Sequence, residues 1–169
     1  MEQLLRYWNR IRRGVVFFLV LILFLMLQNT VLSHVAPLGV KAMFLPALVV
    51  AVGHFEGGWR GGLFGLLTGV LQDLSGTDIS LFFTLLYPLM GFVAGFLTEF
   101  FLNRHFYVYC IFAAASLFLA ALLQMLPLLL SHGENALALW KTCILQTLWS
   151  LPFMLPAYYT VNALPKRLG

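Results

Sequence analysis

Six apolar stretches follow one another along this chain with only a few polar or small residues between them, so almost no length is left over for anything else. They run approximately from Gly14 to Leu32 (14–32), Leu38 to Phe55 (38–55), Trp59 to Leu74 (59–74), Ile79 to Phe101 (79–101), Phe106 to Leu130 (106–130) and Lys141 to Ala163 (141–163). A helix needs about 20 apolar residues to cross a hydrocarbon core of roughly 30 Å, and fewer where neighbouring helices shield it. Composition agrees: 62% of the residues are hydrophobic and 9% are charged, against roughly 45–50% and about 25% in soluble domains. The expected fold is an all-α integral membrane protein, a six-transmembrane-helix bundle forming a single domain over residues 1–169.

Charge placement sets the orientation. With both termini cytoplasmic, Arg6, Arg10, Arg12, Arg13, Arg60, Arg104, Lys166 and Arg167 lie inside and only Lys41 and Lys141 outside, so eight of the ten basic residues obey the positive-inside rule. The third stretch is short and rich in glycine, and a re-entrant segment is its alternative. That arrangement moves Arg104 outside and displaces the carboxyl end unless another crossing also fails, so six crossings are simpler. Within residues 1–13, Arg6, Arg10 and Arg13 share one helical face and Leu4, Trp8 and Ile11 another, the pattern of a basic interfacial helix that meets anionic lipid headgroups. A secretory signal fits less well, because residues 14–32 outrun a usual apolar region and no small-x-small site closes them. The net charge of +4 is spread through short connections and ends with no aromatic-interleaved basic face, which argues against nucleic acid.

Glycine marks where helices meet. Gly61, Gly65, Gly69 and Asp73 recur at intervals of four, as do Tyr87, Gly91, Gly95 and Glu99. Each set forms one helical stripe of little bulk ending in a carboxylate, and small residues at this spacing let another backbone come close. The two stripes predict either that the third and fourth helices pack on each other or that they offer a groove to a further helix. Asp73 and Asp78 bracket a polar turn, which they can hold by accepting backbone N–H bonds, or at which they can receive a cation or a partner's arginine. Glu99 is expected near Arg104 and Arg60, in a salt bridge. Glu2, Glu56, Asp78 and Glu134 read as solvated loop charges. Pro46, Pro88, Pro127, Pro152 and Pro156 fall inside the expected spans, where each frees a carbonyl and can kink its helix.

Motifs for chemistry are absent from the sequence. There is no GxSxG, HExxH or Walker pattern, no pair of intramembrane aspartates, and no serine with a plausible base. Cys110 and Cys143 fall near opposite faces of the expected bundle, too far apart for a disulfide. His34, His54, His105 and His132 stand singly at or near segment ends and read as solvated or headgroup-level side chains. No catalytic, metal-binding or cofactor-binding residue is expected.

The run GGLFGLLTGVLQDLSGTDISLFFTLLYPLMGFVAGFL, from Gly61 to Leu97, resembles the central region of the MreD family, the small rod shape-determining membrane proteins of bacteria. The likeness lies in the glycine-rich third stretch ending in Asp73-Leu74, the Gly76-Thr77 turn, Tyr87-Pro88 and Gly91-x-x-x-Gly95. Length, basic amino end and hydropathy profile carry it over essentially the whole chain. Asp78-Ile79-Ser80 departs from it, where members often carry Pro-Leu-Gly. The resemblance implies a non-enzymatic component of the cell-elongation machinery in the bacterial inner membrane. Its implied partners are the single-span protein MreC and, through it, MreB filaments and the peptidoglycan polymerase and transpeptidase. It also implies a fold similar to the six-helix substrate-binding subunits of vitamin-uptake (ECF-type) transporters.

Two functions are therefore expected to compete. The first is a scaffold that docks the transmembrane helix of MreC through Arg60, Gly65, Gly69, Asp73, Gly91 and Gly95. The second is the small-molecule-binding subunit of an uptake transporter, with an outward polar cavity lined by Gln124, Gln146, Trp140 and Asp73.

Overall fold

The computed structural model describes residues 2–32, 42–75, 81–100, 105–132 and 136–168. Asp78, Lys41, Arg104, His34 and Glu134 lie outside them, and so do the side chains of Glu2, Arg6, Arg10, Arg13, His132, Lys166 and Arg167. The described residues are almost all helical and contain no strand. Helix α1 spans Glu2–Met26 and passes into a π-helical turn, Leu27–Leu32; α2 spans Leu45–Glu56, α3 Gly58–Ser75, α4 Phe82–Phe100 and α5 Phe106–His132. Helix α6, Ala136–Ser150, is joined to α7, Met154–Leu168, by one 3-10 turn, Leu151–Phe153. Among the described residues, two helices are long and apolar enough to cross a membrane, α4 and the Phe106–Met125 part of α5; Gly14–Thr30 and Leu45–Glu56 are shorter apolar helices.

Helical boundaries depart from the expected spans at the amino end. Helix α1 runs through Gly14 without a break, so residues 2–13 are the first turns of the same rod. The second helix starts only at Leu45, with Ala42–Phe44 non-helical. Pro46 thus lies in the first turn of α2, where its missing N–H would have had no helical partner, and it causes no kink. Twelve residues make α2 only about 18 Å long.

This short helix is the core. Every residue from Ala42 to His54 is buried, with α3, α4, α5 and α7 packed around it. A helix apolar on all sides has no solvent face to orient it and suits full enclosure. The Tyr109 hydroxyl of α5 reaches the carbonyls of Ala47 in α2 (3.3 Å) and Met154 in α7 (3.0 Å), tying the three together.

Three breaks in regular helix meet at the amino end of α2. Gln28, in the π turn after α1, accepts hydrogen bonds from the backbone N–H groups of Phe44 (3.2 Å) and Leu45 (3.3 Å). Ser150, the last residue of α6 before the 3-10 turn, accepts one from the N–H of Met43 at 2.9 Å. The first N–H groups of any helix lack internal acceptors, and buried ones must find them elsewhere. Around this junction the Phe44 ring lies 5.4 Å from Phe24 and 5.7 Å from Phe153.

Candidate functional site

The two glycine stripes face each other. A Cβ on Gly65 would stand 2.8 Å from the backbone nitrogen of Pro88, and one on Gly69 would stand 2.6 Å from the Cα of Thr84. On the other side, a Cβ on Gly91 would meet the carbonyl carbon of Gly61 at 2.7 Å, and one on Gly95 the backbone nitrogen of Gly58 at 2.5 Å. In each case the obstacle is backbone, which cannot swing aside as a side chain does. Gly61, Gly65, Gly69, Gly91 and Gly95 are all buried. They form an internal seam between α3 and α4, so these glycines are not an open face for another chain.

Sequence reasoning missed the third member of this seam. Gly53 of α2 lies against both helices, its Cα 2.5 Å from where a Cβ on Gly61 would stand and the Gly95 nitrogen 3.2 Å from its own missing Cβ. The signal was present, since Gly53, Gly57 and Gly61 continue the four-residue spacing backward. Gly57 closes α2 with φ +94°, a left-handed conformation open to glycine, and the chain reverses there into α3.

Each stripe ends in a carboxylate that lies beside the beginning of the opposite helix. Asp73, near the end of α3, accepts hydrogen bonds from the N–H of Phe83 (3.2 Å), the N–H of Thr84 (2.8 Å) and the Thr84 hydroxyl (2.6 Å). It caps the first turn of α4, where helix amides need acceptors and the dipole favours negative charge. Glu99, near the end of α4, returns to the amino end of α3, its Oε2 3.1 Å from the point where a Cβ on Gly57 would stand. Asp73 thus bonds one end of the antiparallel pair, and Glu99 lies against the Gly57 turn at the other.

Arg60 does not join Glu99. It forms an ion pair with Glu56, four residues earlier across the Gly57 turn. Glu56, expected to be a solvated loop charge, has a side chain only 9% exposed, whereas that of Arg60 is 57% exposed. The turn packs Glu56 against the bundle and leaves the longer arginine to span from water to carboxylate. His54 is likewise buried, at 1% exposure, and not at a solvated end. Its Nδ1 lies 3.2 Å from the Thr98 hydroxyl, which itself donates to the Ala94 carbonyl at 2.7 Å. A hydroxyl has one proton to give, so Nδ1 carries the hydrogen and donates to Thr98.

No protein-family model, curated protein or solved structure matches this chain. The functional reading rests on the residues themselves. Of the four groups expected to line a polar cavity, Gln146 and Gln124 meet, with a 3.4 Å hydrogen bond from Nε2 of Gln146 to Oε1 of Gln124. Trp140 is exposed, with its ring centroid 6.5 Å from that of Phe118, and Asp73 is engaged at the start of α4. Gln28 and Gln72, which were not singled out, bridge the π turn and α3 at 3.4 Å. No cluster of three or more His, Cys, Asp or Glu side chains occurs among the described residues. Cys110 and Cys143 are both free thiols.

Proposed function

We propose that this chain is a multi-pass membrane scaffold of the MreD type, without enzymatic activity, in the inner membrane of a bacterium, with six crossings and both termini cytoplasmic. The observation that carries the reading is that the residues behind the resemblance form one contiguous unit. Asp73 caps the helix that contains Tyr87 and Pro88, and Gly65 rests on those two residues while Gly61 meets Gly91. They build a closely packed α3–α4 pair with a glycine-lined inner seam and an apolar outer face. That outer face carries Trp59, Leu63 and Leu66 from α3 and Leu89, Phe92 and Phe96 from α4, all exposed.

With the glycines enclosed, the transmembrane helix of MreC docks on this outer face. The proposed coupling to MreB filaments and to the peptidoglycan polymerase and transpeptidase then runs through MreC. Photo-crosslinking residues placed at Leu63, Leu89 and Phe96 in native membranes test it. The expected product is an adduct with the single-span partner from at least one position. Adducts with lipid alone from all three would overturn the docking face. Labelling of Arg60 and Ser75, as single cysteines, from opposite sides of the membrane tests the crossing of α3.

The uptake-subunit reading is supported by one feature, the Gln124–Gln146 pair. Native mass spectrometry that finds one equivalent of a water-soluble small molecule on the purified chain would favour it over the scaffold.

A further inference from the structure

Helix α1 carries an apolar seam that the bundle does not use. Leu4, Trp8, Ile11, Val15, Phe18 and Ile22 follow one another in alternating steps of four and three, so at roughly 3.6 residues per turn they share one face about 80° wide. The face that packs on the bundle is a different one. Leu21 and Phe24 are buried and the Phe17 ring lies 6.2 Å from that of Phe64; these three positions lie about 130° around the rod from the seam. Within the seam, Val15, Phe18 and Ile22 are exposed, and Gly14 beside them has nothing within 4 Å of its missing Cβ. Positions 6, 10 and 13, all arginine, fall on the bundle side of the rod.

The seam also continues past the end of the bundle. Helix α1 runs in the same direction as α3, with Phe17 near Phe64 and Gln28 near Gln72, and so against α2, where Phe24 meets Phe44. Phe44 and Glu56 are twelve residues apart, as are Phe24 and Arg12, so Arg12 stands level with the Glu56–Arg60 pair. Residues 2–11 continue beyond that level as unbroken helix, for up to about 15 Å. A straight rod carries positions 4 and 8 away from the lipid surface instead of laying them on it, and an apolar face in water gains by being covered.

We propose that this seam pairs with the same seam of a second copy of the chain, as a parallel two-helix coiled coil that runs from the membrane into the cytoplasm. Whatever covers the seam must be a helix that crosses the lipid beside α1 and enters water at the same level. The α1 of another copy does both, because one insertion orientation makes the two helices parallel and puts identical residues at identical depth. The six positions hold no charge that would select a different sequence, and alternating steps of four and three are the spacing of knobs packing into holes. Basic residues do not oppose the pairing. Arg6, Arg10 and Arg13 lie behind the seam, and Arg12, at its edge, falls beside the uncharged Tyr7 of a parallel copy. The pairing rests on the proposed function only for the six-crossing orientation, and it is separate from the outer face of α3 and α4.

The test uses the full chain in isolated native membranes, with Cys110 and Cys143 replaced by alanine and single cysteines placed along α1. Under mild oxidation Ile11→Cys, Val15→Cys, Phe18→Cys and Ile22→Cys should each give a disulfide-linked product of twice the chain's mass. The yield should exceed several-fold that of Leu23→Cys and Leu63→Cys, which are exposed positions off the seam. Absence of this product from the seam overturns the pairing, and so does an equal yield at all six positions. An adduct with a protein of different mass overturns the second copy as the occupant, and linkage confined to Phe18 and Ile22 overturns the continuation into water. Should the cysteine-free background fail to insert, photo-crosslinking residues at the same six positions of the natural chain give the same comparison. Single cysteines at Arg60 and Ser75 report the crossing separately. If they are labelled from opposite sides while the seam gives no dimer, the pairing fails and the six-crossing reading stands.

Discussion

Asp73 and Thr84 are joined twice across a change of helix, the carboxylate Oδ2 accepting from the Thr84 amide at 2.8 Å and from its hydroxyl at 2.6 Å. The end of α3 is thereby fixed to the beginning of α4, whatever path the intervening residues take. Because both bonds are made by a charged acceptor, they are stronger than neutral ones. This junction sets the register in which the glycines of the two helices meet.

Replacing Asp73 by alanine should destabilise the protein by about 1–2 kcal/mol, the usual cost of a lost helix cap. Thermal unfolding in detergent would show it as a lower apparent Tm. Asp73→Asn retains an acceptor and should cost less. In a double-mutant cycle, Asp73→Ala and Thr84→Val should be non-additive, since each removes a bond that the other also needs.

Glycine substitutions should separate sharply by position. Gly65→Ala and Gly69→Ala push a methyl group into the backbone of Tyr87, Pro88, Phe83 and Thr84, and each should cost roughly 1–3 kcal/mol. Gly14 has nothing within 4 Å of its missing Cβ. Gly14→Ala should stabilise α1 by up to about 1 kcal/mol through helix propensity alone. Equal effects at the three sites, read as unfolding midpoints, would contradict the seam.

Much of this seam was legible beforehand, because a four-residue glycine period has few uses other than close helix contact. Spacing alone left open whether Gly61 and Gly91 met each other or a second chain, since it reports the shape of a face and not its occupant. Asp73 stood out as the carboxylate that ends the stripe, but its acceptor role was expected in the turn and not at Phe83 and Thr84. The central place of α2 was not legible. Its sequence is apolar on every side, which suits lipid and protein interior equally. The Gln28 and Ser150 contacts with Met43, Phe44 and Leu45 were out of reach for another reason. They join residues distant in sequence and depend on a π turn that no local propensity announces.

Gln28→Leu should be among the more damaging polar-to-apolar changes. It strands the buried amides of Phe44 and Leu45, at roughly 1–3 kcal/mol for each donor left unpaired. Ser150→Ala strands that of Met43 alone and should cost less. Hydrogen–deuterium exchange by mass spectrometry should find faster exchange at Met43–Leu45 in both variants. Unaltered protection there would show that other acceptors take over.

The Glu56–Arg60 pair should respond asymmetrically. Arg60→Ala leaves a nearly buried carboxylate without its partner, whereas Glu56→Gln leaves an arginine that can turn into water. Removing the arginine should therefore lower the Tm more than neutralising the glutamate. The reverse order, or no difference, would mean that the carboxylate is better hydrated than its burial implies.

The enclosure of α2 bears on how such a protein is made. Synthesis proceeds from the amino end, so α2 exists before α3, α4, α5 and α7, which will surround it. It must wait in a provisional environment that tolerates apolar groups on every side. The Gly57 corner then brings α3 back along it at once, and α4 follows by the Asp73 junction. A nascent chain truncated after Phe100 would already hold the glycine-lined triplet, and it is the shortest product expected to resist proteolysis.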